Sequence, residues 1–480
     1  MSPKLLKDII SELNELLSGS IISKIHQSDE RNIILRIFAR GREERLIISA
    51  HHKYPRIHLT EAVFYNPPSP LRFCAYLRSR ITNARIEEFR QKDDERVLEV
   101  ALARKHDEII EKFTLIAELT GKSSNIILVD ESGIVLDAIR YFPPDGSLRV
   151  VMPGVVLEPL PPHKEAFRQE EFPKEPYITW NEATDAYYSS FIKEEEFISE
   201  RNRFRRVALD AEKKLKKKLL NLNGDKDRAE REREFSKLGD ILIYNLNKMK
   251  RGMKEVELDD YTVYPPEKVK VALDEKLSPK ENAEKYFKRS KKAKTALNLL
   301  KDRIPQVETD IEYMGNVLYE IEAARNREDL RLIEDELAKG GYVKKMPEEA
   351  GHIKEEEKKA EPIRRYTSSE GFEILCGKSG AGNDMIVQRH AANEDIWFHI
   401  AHMPGSHVLI KVAGRAKELT KKTIEEAAAL AAWHSKAQNA GKVEVIYAEA
   451  KHVRKPKGAK PGMVTVKEHK SILVRPKGME

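Results

Sequence analysis

Residues 395–410 read DIWFHIAHMPGSHVLI, and together with KHVRKPKGAKPGMV at 451–464 they decide how the carboxy-terminal part of this chain folds. Ile396, Phe398 and Ile400 alternate with Trp397, His399 and Ala401, a period of two that predicts a strand with one buried face. Pro404-Gly405 then turns the chain into a second strand over 408–412. The downstream run and its continuation carry six basic side chains, Lys451, Arg454, Lys455, Lys457, Lys460 and Lys467, on proline and glycine punctuation that excludes a helix. An ordered basic loop of this kind suits phosphate groups.

The strings DxWFH, PGSH and KHVRKPKGAKPGMV resemble the RNA-binding domain of the NFACT family, which includes RqcH, NEMF and fibronectin-binding protein A and acts in ribosome-associated quality control. EEAAALAAWHSKAQNAGKVEVIY at 425–447 fits the same domain, so the resemblance spans 366–474. It implies RNA contacts from Asp395, Trp397, His399, Ser406, His407, Lys451, His452, Arg454, Lys455, Lys457 and Lys460. Two readings stay open for several of these. Trp397 either stacks a base or packs half-buried on its strand. His399 and His407 either hydrogen-bond within the site or to RNA phosphate, or are structural. With His402 they form H-x2-H-x4-H, but no cysteine or acidic cluster stands near beyond Asp395, and no metal is expected.

Net charge is +7 with 34% charged residues, and the excess is concentrated: residues 442–480 hold ten Lys/Arg against four Asp/Glu. A local basic face calls for a polyanionic partner or is simply a solvated surface. Cys74 and Cys376 sit singly in apolar strings, RFCAYL and EILCG, and read as core residues of a reducing compartment. No apolar run approaches eighteen residues, and MSPKLLKDIISELNELL is an amphipathic helix without an export core, so a cytoplasmic protein with no membrane contact is expected.

Over 1–165, a helical repeat at Leu5, Ile9, Ile10, Leu13 and Leu16 is followed by alternating strands at 21–25, 33–38 and 46–48, a helix at 71–81, a strand at 96–103 and a hairpin over 124–139. This is an α+β domain. YPRIHLT, PPSPLRFCAYLRSRI, LIAELTGKSSNIILVD and MPG resemble the NFACT-N domain, itself similar to the amino-terminal domain of formamidopyrimidine-type DNA glycosylases. Those enzymes attack with an amino-terminal proline, whereas this chain opens Met1-Ser2-Pro3, and glycosylase chemistry is not expected. The family's tRNA-contacting Asp-Arg pair aligns with Glu95-Arg96 in QKDDERVLEV, with Asp94 one residue earlier, and Lys122 falls in a matching string. The resemblance therefore implies tRNA binding by Glu95, Arg96 and Lys122, the carboxylate orienting the guanidinium. The alternative is an exposed ion pair at a strand start.

A Pro/Glu-rich linker, 166–190, leaves no room for the helix-hairpin-helix module of most relatives. The segment 191–342 reads as a long antiparallel coiled-coil hairpin with a small β tip at 252–278 around Pro265-Pro266. Its first helix carries Phe197, Phe204, Ala211, Leu215, Leu219 and Leu222, then frays at NGDKDRAERERE. Its second repeats Ala293, Leu297, Leu300, Ile304, Val307, Ile311, Met314, Leu318 and Ile321 in steps of four and three, after a capping box at Ser278 and Glu281. Pro305 should kink it. Residues 343–365 read as a charged linker and 366–480 as the RNA-binding domain. GKSGAGND at 377–384 lacks phosphate-loop order and reads as a hairpin turn.

The expected fold class is thus α+β multidomain: a glycosylase-like amino-terminal domain, a long coiled-coil hairpin with a β tip, and a carboxy-terminal α+β RNA-binding domain. No HExxH, G-x-S-x-G or kinase motif supplies catalytic chemistry, and no cofactor is expected. The resemblance implies a non-enzymatic factor that acts as a monomer on large ribosomal subunits (rRNA) obstructed by peptidyl-tRNA and recruits tRNA, alanyl-tRNA in bacterial members, for template-free tailing. A hairpin of about 55 residues spans on the order of 80 Å, a length suited to ribosomal distances. Rival readings are a nucleic-acid-processing enzyme, nuclease or glycosylase-like, and a fibronectin-binding adhesin.

Overall fold

Ser2 accepts a hydrogen bond from the Leu5 amide and Pro3 occupies the first turn, so α1 (Pro3–Leu17) starts where the sequence offers both a cap and a pre-set φ. Pro3 is therefore a helix-initiating residue. The computed structural model describes residues 1–92, 95–145, 149–161, 172–344, 361–415 and 418–479. They divide into two bodies, residues 1–196 and the described residues from 197 onward.

In the first body α1 lies on strands β1 (Ile21–Gln27), β2 (Asn32–Ala39), β3 (Arg42–Ser49) and β4 (Arg56–Leu59), followed by α2 (Arg72–Ile81) and the antiparallel run β5 (Arg85–Gln91), β6 (Val97–His106), β7 (Ile109–Glu118), β8 (Asn125–Asp130) and β9 (Val135–Ala138). Among the described residues these form a nine-stranded sheet ordered β4-β3-β2-β1-β5-β6-β7-β8-β9. The apolar stripe of α1 (Leu6, Ile9, Leu13, Leu17) and Phe73 and Leu77 of α2 close one core with the inward residues of the sheet. Among the described residues between Ala138 and Trp180 there is no helix.

The long helix α3 (Trp180–Arg233) begins inside the segment read as a linker. Thr179 and Glu182 cap it reciprocally: the Glu182 amide donates to Thr179 Oγ1 (3.1 Å) and the Thr179 amide to Glu182 Oε2 (3.2 Å). Glu12 of α1 accepts from the amides of Trp180 (2.7 Å) and Asn181 (2.9 Å), which anchors the first turn on the domain. Residues 166–171 and 345–360 of the two expected linkers lie outside the described residues.

In the second body α3 runs without interruption through NGDKDRAERERE, where fraying was expected. Its last turn is tied to a neighbour: Arg289 pairs with Glu232 (2.8 Å) and the Ser290 hydroxyl donates to the Arg233 carbonyl (2.7 Å). Helix α4 (Phe235–Tyr244), strands β10 (Glu255–Asp260) and β11 (Glu267–Ala272), and helices α5 (Pro279–Ala323) and α6 (Arg327–Lys339) follow. The Ser278 and Glu281 capping box starts α5. Phe204 and Ala208 of α3 share a core with Tyr313, Met314 and Val317 of α5, whereas Leu222 meets Leu300 and Val307, so the two helices run antiparallel along one apolar seam. Helix α5 continues through Pro305. The amide that proline lacks would have met the Lys301 carbonyl, and both residues lie on the exposed side, where water can replace it.

The carboxy-terminal domain contains β12 (Ile363–Thr367), β13 (Glu373–Gly377), α7 (Gly380–Met385), β14 (Ile396–Ile400), β15 (Val408–Lys411), α8 (Lys421–Trp433), β16 (Val443–Glu449), β17 (Val453–Arg454), β18 (Thr465–Val466) and β19 (Lys470–Val474). Among the described residues β12-β13-β15-β14-β16-β19 form one antiparallel sheet. Helix α8 covers one face, over Phe398, Ile400 and Val408. The other face is closed by Ile363, Ile386 and Val453 over Trp397 and Leu409. Strand β14 is thus buried on both faces, not one. The GKSGAGND segment is a strand-to-helix junction, not a hairpin turn: Ser379 caps α7, and a Cβ on Gly382 would stand 2.0 Å from the Pro362 carbonyl oxygen. Its glycines serve close packing. No helix among the described residues is long and apolar enough to cross a membrane.

The shared seam makes arm length adjustable only in matched steps. Removing residues 216–222 from α3 with 297–303 from α5 deletes one heptad on each side and should keep a single cooperative melt close to that of the parent chain. Removing 216–218 alone turns the rest of α3 by about 60° out of the seam. Its melting temperature should fall well below that of the longer, matched deletion, and equal melting temperatures would show that the seam does not hold the arm.

Candidate nucleic-acid interface

The run between β17 and β18 projects its cations unequally. Lys451, Arg454, Lys457 and Lys467 are exposed, whereas Lys455 is inserted, its side chain 16% exposed and its ammonium paired with Asp384 of α7. Asp384 also accepts from the Gly462 amide (3.0 Å), so one carboxylate pins the loop at both ends. Lys460 lies 3.8 Å from Asp310 of α5 and over the rings of Tyr313 and Tyr342 (5.6 and 5.8 Å). Lys451 pairs with Glu449 (2.5 Å), and His452 lies 4.0 Å from Glu468, with its carbonyl accepting from the Lys467 amide. Lys455 and Lys460 shape the loop, leaving Arg454 and Lys457 at its surface.

Most of the residues singled out on and around β14 and β15 are interior ones, and His399 is half-buried. Trp397 is 2% exposed and presents no face to a base, which corrects the stacking reading. Its ring is parallel to that of His399 (5.9 Å between centroids) and edge-on to that of His407 (5.1 Å). His399 Nε2 lies 3.3 Å from the Gly405 carbonyl, and the His407 amide donates to Asn383 Oδ1 (2.9 Å). Burial pushes the proton affinity of both imidazoles down, so they are neutral rings. Asp395 is fully buried and saturated by the Lys411 ammonium and by the amides of Ala392 and Val412 (2.8 Å each). Ser406 is buried as well, its amide bonded to the His434 carbonyl (2.8 Å). Asp395, Ser406 and His407, with Trp397, build the platform and do not line its surface, whereas His399 is half-buried at its edge. Among the described residues no three His, Cys, Asp or Glu side chains gather as a metal site would require.

Sequence reasoning missed what positions this platform. Two buried carboxylates, Glu320 of α5 and Glu336 of α6, converge on the start of α7, where the Ala381 amide donates to Glu336 (3.2 Å) and the Gly380 amide to Glu320. Burial holds both carboxyls above their ordinary range, Glu320 well above it with the charge of Glu336 adding to the effect, and Glu336 with that of Asp384. The N-terminus of α7, superficially like a phosphate loop, is filled by the protein's own acids. The legible signal was Ser379 before a glycine-rich turn, a helix-start pattern.

In the first body the Leu119 amide donates to the Arg96 carbonyl (2.8 Å), and two residues on, Gly121 opens the turn that exposes Lys122. Glu95 lines an open cleft with Glu99, Glu118, Asp130 and Glu158 opposite Lys92 and Arg149. That cleft is predominantly acidic and suits no phosphate. Asp94 lies outside the described residues.

A basic loop clamped onto a doubly covered sheet, carried at the base of a long helical arm, defines an arm-mounted polyanion-binding module. Residues 4–172 and 166–359 match the NFACT N-terminal and middle domains, and residues 363–468 match the NFACT protein RNA binding domain. The chain belongs to the NFACT family. It is 29% identical to the Rqc2 homolog RqcH of Bacillus subtilis (strain 168), over 97% of this chain and 96% of that protein. It is 30% identical to the Rqc2 homolog RqcH of Streptococcus suis (strain 05ZYH33), over 98% and 97%. Among solved structures, the C-terminal part of the fibronectin/fibrinogen-binding protein from Streptococcus suis is 26% identical and covers 59% of this chain and 96% of its own, with a TM-score of 0.44.

Two substitutions separate the roles of the buried charges. Lys455→Ala strips the half-buried Asp384 of its cation and should cost about 1 to 3 kcal/mol, whereas Lys457→Ala should leave the melting temperature unchanged. Equal melting temperatures would remove Asp384 as the clamp. Glu320 has the opposite sign: its folded pKa lies above its unfolded value, so the native state holds a proton the unfolded chain has lost. That contribution is complete below the ordinary carboxyl range near 4.5 and is lost as pH rises through the elevated value. Glu320→Gln should therefore raise the melting temperature at neutral and alkaline pH and flatten its decline. A variant less stable than the parent at pH 8 would show that the ionised carboxylate is the stabilising form.

Proposed function

We propose that this protein is a ribosome-associated quality-control factor that binds large ribosomal subunits obstructed by peptidyl-tRNA and recruits tRNA for template-free extension of the stalled chain. The observation that carries this reading is the pair Arg454 and Lys457, exposed on a loop held rigid by Asp384. Ordered cations on a fixed scaffold bind phosphate without the entropy cost of arranging them. Family membership and the two RqcH relatives support the same role. In this reading peptide-bond chemistry stays with the ribosome and the chain is a cytoplasmic binding factor, monomeric on the subunit, whose glycosylase-like region binds tRNA and performs no glycosylase chemistry. The division 1–165, 191–342 and 366–480 then separates a tRNA-facing domain, a coiled-coil spacer and an rRNA-facing domain.

Binding to large subunits should weaken steeply with salt, and Arg454→Ala with Lys457→Ala should flatten the slope of log K against log salt by about 2 units. A cosedimentation titration with an unchanged slope would take this loop out of the interface. Arg96→Ala should abolish tRNA copurification while subunit cosedimentation persists. If both are lost together with a lower melting temperature, Arg96 is a structural residue and the tRNA assignment falls.

A further inference from the structure

Arg31, Arg56 and Arg140 of the amino-terminal body form no ion pair with any described carboxylate. They are nonetheless close neighbours. Arg140 donates to the carbonyls of Lys122 (2.8 Å) and Ser124 (3.3 Å), and the charge of Arg31 adds to burial in lowering its proton affinity. His51 is pushed down to about 4 by burial and by the charges of His52, Arg56 and Arg31. The His52 carbonyl lies 3.7 Å from where a Cβ on Gly121 would stand. Four loops, around residues 31, 51–56, 121–124 and 140, therefore converge.

Two of these guanidiniums carry buried N–H groups with no acceptor. Arg56 is 2% exposed, set 5.5 Å from the Tyr54 ring and 5.4 Å from the Tyr188 ring, and its Nε has no partner. Arg31 Nη1 is equally buried and unpartnered. Buried cations are ordinarily matched by carboxylates, because desolvation without a counter-charge costs several kcal/mol. The charges of two acids reach Arg56, but Asp29 already accepts from the amides of Arg31 (2.6 Å) and Asn32 (2.9 Å) and Asp185 from the Glu61 amide (3.0 Å), and the Lys53 ammonium is taken by Glu195 (2.8 Å). His51 adds a neutral donor: its Nδ1 accepts from the Lys53 amide (3.2 Å), which leaves the ring proton on Nε2.

We propose that this cluster binds a phosphodiester group of RNA, with Arg31, Arg140, Lys122 and His51 as direct contacts and Arg56 as the buried charge behind them. The proposal rests on the RNA-binding reading above and adds a contact beyond Glu95-Arg96. A polymer backbone fits better than a small anion because the cations stand on open loops interleaved with rings: Tyr54 stacks on His51 at 3.6 Å, Arg140 lies over Phe142 at 4.9 Å, and Tyr141 is 40% exposed.

The test uses the full chain and fluorescently labelled, deacylated tRNA, with affinity measured across a salt series. Arg31→Gln with Arg140→Gln should weaken binding at least about tenfold and lower the salt slope by about 2 units, whereas Arg31→Lys with Arg140→Lys should retain most of the affinity. Lys122→Glu, on an exposed turn, should also weaken binding and guards against a double variant that does not fold. Removing the 5′-phosphate from the RNA should change nothing, and a loss on dephosphorylation would overturn the diester assignment. Parent-like affinity and slope in both Gln and Glu variants would overturn the site while leaving the proposed function intact. Failure of the parent chain to bind tRNA would overturn both.

Discussion

The carboxy-terminal body depends on what the short helix α7 does with carboxylates at its two ends. Its first amides meet Glu320 and Glu336, which come from α5 and α6, and near its other end Asp384 holds Lys455 and the Gly462 amide. Helix N-termini favour negative charge, but two buried acids at one terminus also repel each other, so the arrangement is stabilised only while the pair keeps a proton. What it secures is position. Arm, α7 and basic loop are linked through charge-assisted hydrogen bonds, and the loop cannot shift without stripping Asp384 of both partners.

Much of this architecture was legible because periodicity is local. The alternation around Trp397 marks β14, the capping box at Ser278 marks the start of α5, and steps of four and three mark the seam. The second buried face of β14 was not legible, since Ile363 and Val453, which cover it, are distant in sequence and the covered residues include a tryptophan beside two histidines. Aromatic and imidazole rings look alike in sequence whether they meet a base or a neighbouring loop. The same limit hid α7: glycines that usually announce a turn are here required because Pro362 and Asn383 come too close for any side chain.

The start of α3 is written in the sequence, since Thr179 and Glu182 have capping-box spacing and Trp180 precedes a run of good helix formers. Its charged middle is a different case. NGDKDRAERERE buries little beyond Ala229, but its Ala, Arg, Lys and Glu residues are good helix formers, Arg228 reaches back to Asp225, and Arg289 and Ser290 hold its last turn. Pro305 shows the complementary effect. A residue that breaks isolated helices is accommodated in α5 because the seam on the opposite side continues through Ile304 and Val307 and the unpaired carbonyl faces water.

Charge composition alone could not tell which cations contact a partner, because the chain uses lysine and arginine for two ends. Lys411 on Asp395, Lys455 on Asp384 and Arg149 on Glu118 each neutralise a carboxylate that is itself buried or nearly so, and removing any of them leaves an acid without compensation. Arg454 and Lys457 are exposed and, among the described residues, pair with no carboxylate. In the amino-terminal body, Arg56 belongs to neither group: it is shielded from water, and Asp29 and Asp185, whose charges reach it, form no ion pair with it. A cation with a buried partner is explained by the fold, and one that stands in water on an ordered loop is left free for a polyanion. One that is buried with an N–H group left over, as Arg56 is, is what the proposed RNA phosphate would complement.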